Sequence, residues 1–349
     1  MKEGWVAFDA FAMSAIGSFP HVDAEAACDL ILTYLDELPV WPQLPHRGFQ
    51  ENMYAQYGEG IPGAVLDMVV RKIWCDTGEG LLAEVESAYQ DYLEGNTGAF
   101  AISRDRAEGL YVFAERLRDG AGKYPVVKGQ VTGPISFGLT VGDENNRPIL
   151  YNETLADAMV KVLAMKARWM EGFLKAAGAA EVVTFFDEPY LVSVGSALVS
   201  IDPEQVIGAL NECAAAVSGP TGVHCCGNTD WSMLTRTNID ILNFDAYEFM
   251  ENVALYPEDI QALLARGGRL AWGLVPNNEA YRKETAASLA ERFEAGVDLL
   301  AGRGVDRALL LERCIITPSC GLDGVSVEDA KGVLRLMREL SGTLKERYA

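Results

Sequence analysis

The chain holds three histidines, and one of them sits in Val223-His224-Cys225-Cys226-Gly227-Asn228. On a strand, side chains alternate between faces, so His224 and Cys226 point one way and Cys225 the other. Imidazole and thiolate both suit zinc, and a His-x-Cys pair at a strand end supplies two ligands. A third must come from elsewhere. Cys320, in Thr317-Pro318-Ser319-Cys320-Gly321-Leu322, is the best candidate by type and setting. Asp245, closing Ile241-Leu242-Asn243-Phe244-Asp245, is a candidate fourth ligand, with Glu248 the weaker option. Ligands from separate strands, thiolates among them, make a catalytic site with an exchangeable position rather than a closed structural knot. The competing view is a core histidine beside ordinary buried cysteines, a residue type that is commonly buried. That view is taken for Cys28, Cys75, Cys213 and Cys314.

Such residues need strand ends brought to one place. A short apolar or β-branched run, a turn and a longer amphipathic stretch recur along the chain. The runs are Ser14–Phe19, Leu38–Trp41, Val126–Val131, Val182–Phe186, Gly222–Cys225, Ile239–Phe244, Leu270–Val275 and Ala308–Ile316. Helices are predicted over Leu155–Ala177, Pro203–Val217, Pro257–Arg266, Ala286–Leu300 and Ser326–Leu344. Strand–helix alternation with buried strands implies an α/β fold with a parallel sheet, and eight units imply a (β/α)8 TIM barrel. An open doubly wound sheet is the alternative. The barrel reading puts the active site at the C-terminal ends of the strands. The chemically loaded residues fall there, including Ser18, His21, Asp187, His224, Asp245 and Cys320.

The length of 349 residues exceeds the roughly 250 of a typical barrel, so one domain over 1–349 is expected to carry an insertion within about 42–125. That insertion reads as helical, with Phe49–Tyr57 an amphipathic helix packing on the barrel rather than a cofactor box. The net charge is 29 − 50 = −21, which argues against nucleic acid or an anionic membrane as partner. No stretch approaches a membrane span, and Met1-Lys2-Glu3-Gly4 does not open a signal peptide. Seven cysteines, an odd and sparse count, point to a reducing cytoplasm.

Several segments together resemble the C-terminal catalytic barrel of the cobalamin-independent methionine synthase family. Its superfamily also holds uroporphyrinogen decarboxylase and the zinc-dependent methylcorrinoid:thiol methyltransferases. Ile16-Gly17-Ser18-Phe19-Pro20 is similar to the family segment that holds homocysteine. Lys128-Gly129-Gln130-Val131-Thr132-Gly133-Pro134 resembles a Lys-Gly-x-Leu-Thr-Gly-Pro strand. Asp187-Glu188-Pro189 resembles an Asp-Glu-Pro whose Asp contacts the amino-acid substrate. His224-x-Cys226 and Pro318-x-Cys320-Gly321-Leu322 resemble the zinc-ligand segments. Asp67, in Val65-Leu66-Asp67-Met68-Val69, resembles part of a pocket-lining Asn-Asp-Met-Val stretch.

The resemblance implies S-methylation of homocysteine to methionine with zinc held by His224, Cys226 and Cys320. The substrate thiol takes the open or exchanged position. Asp187 would meet the substrate α-ammonium and Glu188 would orient a neighbour. Ile16 and Ser18 with the adjacent backbone would hold the carboxylate, and His21 is a proton-relay or surface-turn residue. The family's zinc site adds a Glu where this chain has Asp245. The folate-using enzyme carries a histidine after its seventh strand, where this chain reads Trp272-Gly273-Leu274-Val275-Pro276-Asn277-Asn278. A methyl group on folate nitrogen leaves badly without a proton, whereas one on cobalt needs none. A methylcorrinoid protein is therefore expected as donor and partner rather than methyltetrahydrofolate directly. A coenzyme M-like thiol is the alternative acceptor, suggested by His-x-Cys-Gly-Asn. A porphyrinogen decarboxylase-like lyase and a non-catalytic zinc or corrinoid-partner module are the competing classes.

Overall fold

The computed structural model describes residues 8–120, 122–196 and 199–348. Met1–Gly4, on which the signal-peptide reading rests, lies outside them. The strands are β1 (Ala12–Met13), β2 (Ala64–Asp67), β3 (Lys72–Cys75), β4 (Val126–Thr132), β5 (Gly142–Asp143), β6 (Glu181–Asp187), β7 (Thr221–Cys225), β8 (Ile241–Phe244), β9 (Arg269–Val275) and β10 (Cys314–Pro318). Seven form one sheet in the order β1-β10-β9-β8-β7-β6-β4. Every pair in it is parallel. The long strands are buried along almost their whole length, as a sheet covered on both faces requires.

The sheet curls. Flat, seven strands would hold their edges roughly 29 Å apart at about 4.8 Å per spacing. Instead the stretch at 39–43 reaches both edges. Val40 bridges Lys128 of β4, and Gln43 bridges Ser18 just beyond β1, both in parallel sense. Lys128 N donates to Pro39 O at 2.7 Å, and Gln43 N donates to Gly17 O at 2.8 Å. An apolar cluster joins Ala12 of β1 with Val126 of β4, together with Val183, Ile241, Ala271 and Ile315. The larger core lies on the opposite face, under the helices. There Trp272 meets Phe293 of the helix Ala286–Gly302 edge-on, with ring centroids 4.9 Å apart.

Three expectations need correction. The region 42–125 is not helical throughout. It contains the antiparallel hairpin β2–β3, to which β5 adds in parallel as a second, three-stranded sheet. Ala308 is not in a strand, because Asp306 caps a helix over Arg307–Glu312 and accepts from Ala308 N at 2.8 Å. β1 ends before Ser14–Phe19 because the chain peels away, with Gly17 at φ +147° against the Gln130 side chain. The Phe49–Tyr57 piece does pack on the sheet. Its helix Met53–Tyr57 lets the Tyr57 hydroxyl donate to Gln130 O at 2.5 Å. Among the described residues, no helix is long and apolar enough to cross a membrane.

Candidate metal centre and its cavity

The parallel sheet delivers strand ends to one side. Asp187 closes β6, His224 lies in β7 as its register partner, and Cys320 follows β10 by two residues. A cavity of about 320 Å³ opens there, lined by Ile16, Ser18, Asp187, His224, Cys226 and Cys320 among others. Ligand atoms of His224, Cys226 and Cys320 all lie within 4.8 Å of one another. His224 Nε2 is 3.7 Å from Cys320 Sγ. The other ring nitrogen, Nδ1, is 2.6 Å from Asn243 Oδ1 on β8. The neighbouring Cys320 thiol is the largest cause pulling the Cys226 thiol below its usual value, against burial. The Cys320 thiol is raised by its bond to Cys226 and by burial. One nitrogen and two sulfurs fit zinc with a position left for a further ligand.

Asp245 stands outside that convergent group. Its Oδ1 accepts from Glu248 N at 2.9 Å, and burial pushes its carboxyl up to about 6. Cys225 faces away, as alternation requires, and burial raises its thiol to about 12. All seven cysteines are free thiols.

Asp187 is buried, and its Oδ1 has no hydrogen-bond partner among the described residues. Burial raises its carboxyl, while the Lys128 ammonium opposes the shift. Lys128 is itself buried in β4. Its Nζ donates to Ile16 O at 2.5 Å and lies 4.6 Å from the Phe185 ring centre. Burial pushes this amine down to about 8, with Asp187 pulling the other way. The two groups influence each other electrostatically, and Asp187 Oδ1 stays uncommitted among the described residues.

Ser18 Oγ donates to Asp323 Oδ1 at 2.6 Å, which ties the β1 loop to the β10 loop. A Cβ on Gly321 would lie 2.0 Å from that hydroxyl. Glu188 turns away to the helix Pro134–Thr140 and accepts from Ile135 N at 2.9 Å and Ser136 N at 2.7 Å. Burial raises its carboxyl to about 7, above the ordinary 4.5. A raised folded-state value means Glu188 contributes stability fully below about 4.5 and loses it as pH rises through about 7. Glu188→Gln is expected to flatten that limb of urea stability against pH. A Cβ on Gly133 would lie 2.2 Å from the Glu188 carboxyl carbon. Gly133→Ala is therefore expected to cost about 1–3 kcal/mol of unfolding free energy in urea denaturation.

His21 does not line the cavity. It is buried near Phe19, at a ring separation of 6.2 Å, and burial lowers its pKa. Asp67 ends β2, and its Oδ1 accepts from Val69 N at 2.7 Å and Val70 N at 3.0 Å. It too lies outside the cavity lining. Sequence reasoning missed the buried Glu51, Asn277 and Asp323, which do line it, and the supporting Lys128 and Asn243. A lysine and an asparagine inside otherwise apolar strands were the available signals for the last two.

No family model matches the chain, and a search of curated proteins returns no match. Solved structures do. A B12-independent methionine synthase from Shewanella sp. W3-18-1, in complex with selenomethionine, aligns over 97% of this chain and 98% of its own, with a TM-score of 0.61 at 17% identity. A methyltransferase from Methanosarcina mazei aligns over 98% and 96%, with a TM-score of 0.54 at 14% identity. The chain shares its fold with both. The likeness spans nearly the whole length of each of these chains.

Proposed function

We propose that this protein is a zinc-dependent S-methyltransferase that methylates homocysteine to methionine, with a methylcorrinoid protein as donor. The convergence of His224, Cys226 and Cys320 at the C-terminal end of a curled parallel sheet carries the reading. In the same reading the stretch at 39–43 is the remaining strand of a (β/α)8 barrel, and seven free thiols fit a cytoplasmic home. Zinc bound there would hold the acceptor sulfur as a thiolate, the nucleophilic form, at neutral pH.

The chain's own residues do the rest. His224, Cys226 and Cys320 fix where that sulfur sits, which removes orientational cost. The uncommitted oxygen of Asp187 accepts from the substrate ammonium. Ile16 and Ser18 line the cavity, and in this reading they and the adjacent backbone would meet the substrate carboxylate. The donor then approaches from outside, because about 320 Å³ suits an amino-acid thiol and not a corrinoid. Asn277, on the β9 connection, lines the cavity and donates through Nδ2 to Gly321 O at 2.9 Å. It cannot serve as the acid that a folate leaving group needs. A buried carboxylate also favours a thiol that carries an ammonium group over a purely anionic coenzyme M-like thiol. The acidic lining of Glu51, Asp187 and Asp323 fits a polycarboxylate-binding lyase poorly.

The test is a zinc-loaded assay with homocysteine comparing free methylcobalamin with methyltetrahydrofolate. Methionine formation from methylcobalamin, with little or none from the folate, is expected. Activity with neither donor across several thiols would overturn the methyltransferase reading.

A further inference from the structure

We propose that Asn243 decides which nitrogen of His224 faces the metal. The consequence for zinc rests on the function proposed above, whereas the geometry does not. Asn243 is buried in β8, between β7 and β9, with His224 and Ala271 as its register partners. Its Nδ2 donates to Ala271 O at 2.8 Å and to Thr317 Oγ1 at 2.9 Å. Both amide hydrogens are thereby used. A flipped amide would set Oδ1 against the Ala271 carbonyl, two acceptors face to face in a buried site, so this orientation is fixed.

Oδ1 can then only accept from His224 Nδ1, 2.6 Å away. Nδ1 therefore carries the ring proton, and the neutral imidazole presents a bare Nε2. That is the nitrogen 3.7 Å from Cys320 Sγ. A partner of this kind fixes both tautomer and ring orientation of a ligating histidine. The chain of contacts crosses four adjacent strands, from Thr317 on β10 and Ala271 on β9, through Asn243 on β8, to His224 on β7. The sheet itself aims the ligand. Asn243 is a positioning residue that touches neither zinc nor substrate.

Two measurements test this. The first is long-range proton–nitrogen NMR of the metal-free protein at a pH where its three imidazoles are neutral. His224 is expected as the Nδ1–H tautomer, and Asn243→Leu is expected to lose that preference. The second is zinc affinity by competition with a chromophoric chelator. Asn243→Leu should weaken binding about 10–100-fold, the usual cost of removing an outer-shell partner. Asn243→Asp keeps an acceptor for Nδ1–H and should weaken it less. Thr317→Val removes one anchor of the amide and should give a smaller loss of the same sign, should Asn243→Leu fail to fold. An Nε2–H tautomer in the unsubstituted protein overturns the proposal. So does undiminished zinc affinity in folded Asn243→Leu, or in Thr317→Val where Asn243→Leu does not fold. A protein that binds no zinc at all defeats the proposed function, and the tautomer then still decides the role of Asn243.

Discussion

Cys320→Ser is expected to weaken zinc binding by more than about 100-fold, beyond the upper end of what an outer-shell partner costs. The reason is chemical and geometric together. A serine hydroxyl stays protonated at neutral pH and is a harder donor than thiolate, so the site falls from three protein ligands to two. Cys226→Ser removes the thiolate directly and is expected to do at least as much. Cys225→Ala is the control. Its sulfur donates to Gly227 O at 3.5 Å, off the cavity, and zinc content should be unchanged. The measurements are metal content after gel filtration and chelator competition on each variant, with folding checked by circular dichroism. Full zinc retention in Cys320→Ser sinks the ligand assignment.

The ligands themselves were legible because their chemistry is local. His224 and Cys226 share a strand face by alternation alone, and Cys320 follows an apolar run whose end is easy to see. The sheet was legible for a similar reason, since β4, β6 and β9 are long, buried and rich in Val, Leu and Phe. The hairpin β2–β3 was not. Its strands are four residues each and largely half-exposed or exposed, and their apolar runs, Ala64–Leu66 and Ile73–Cys75, are too short to mark a strand and do not alternate. Asp67 was read into a pocket on a motif resemblance, but its carboxylate is engaged by the hairpin's own amides. Glu188 was expected to orient a neighbour, and what it holds is the first turn of the helix after β4. Lys128 and Asn243 stood out as polar residues in apolar strands, yet their partners lie up to 112 residues away in sequence. Their meaning depends on which strands become neighbours, and the curled sheet determines that.

Asp187→Asn is expected to lower kcat/KM for homocysteine by about 3 kcal/mol, on the order of 100-fold, with zinc content unchanged. Burial raises the carboxyl and Lys128 opposes that shift, and a bound ammonium would oppose it further by favouring the charged form. Asparagine keeps the shape and loses the charge. It also leaves Lys128 buried without its counter-charge, which drives that amine further toward the neutral form and loosens its grip on Ile16 O. Both effects act on the end of the substrate that carries the amino group, away from the sulfur. The same carbon chain without the amine, 4-mercaptobutyrate, should therefore be a poor substrate of the unsubstituted enzyme and should lose little or nothing further in Asp187→Asn. The discriminating quantity is the ratio of kcat/KM for the two thiols. Equal losses on both would mean that Asp187 supports the cavity as a whole, and no loss on either would mean that the substrate ammonium binds elsewhere. Lys128→Met should reproduce part of the effect, because an unopposed Asp187 is pushed toward its protonated, uncharged form.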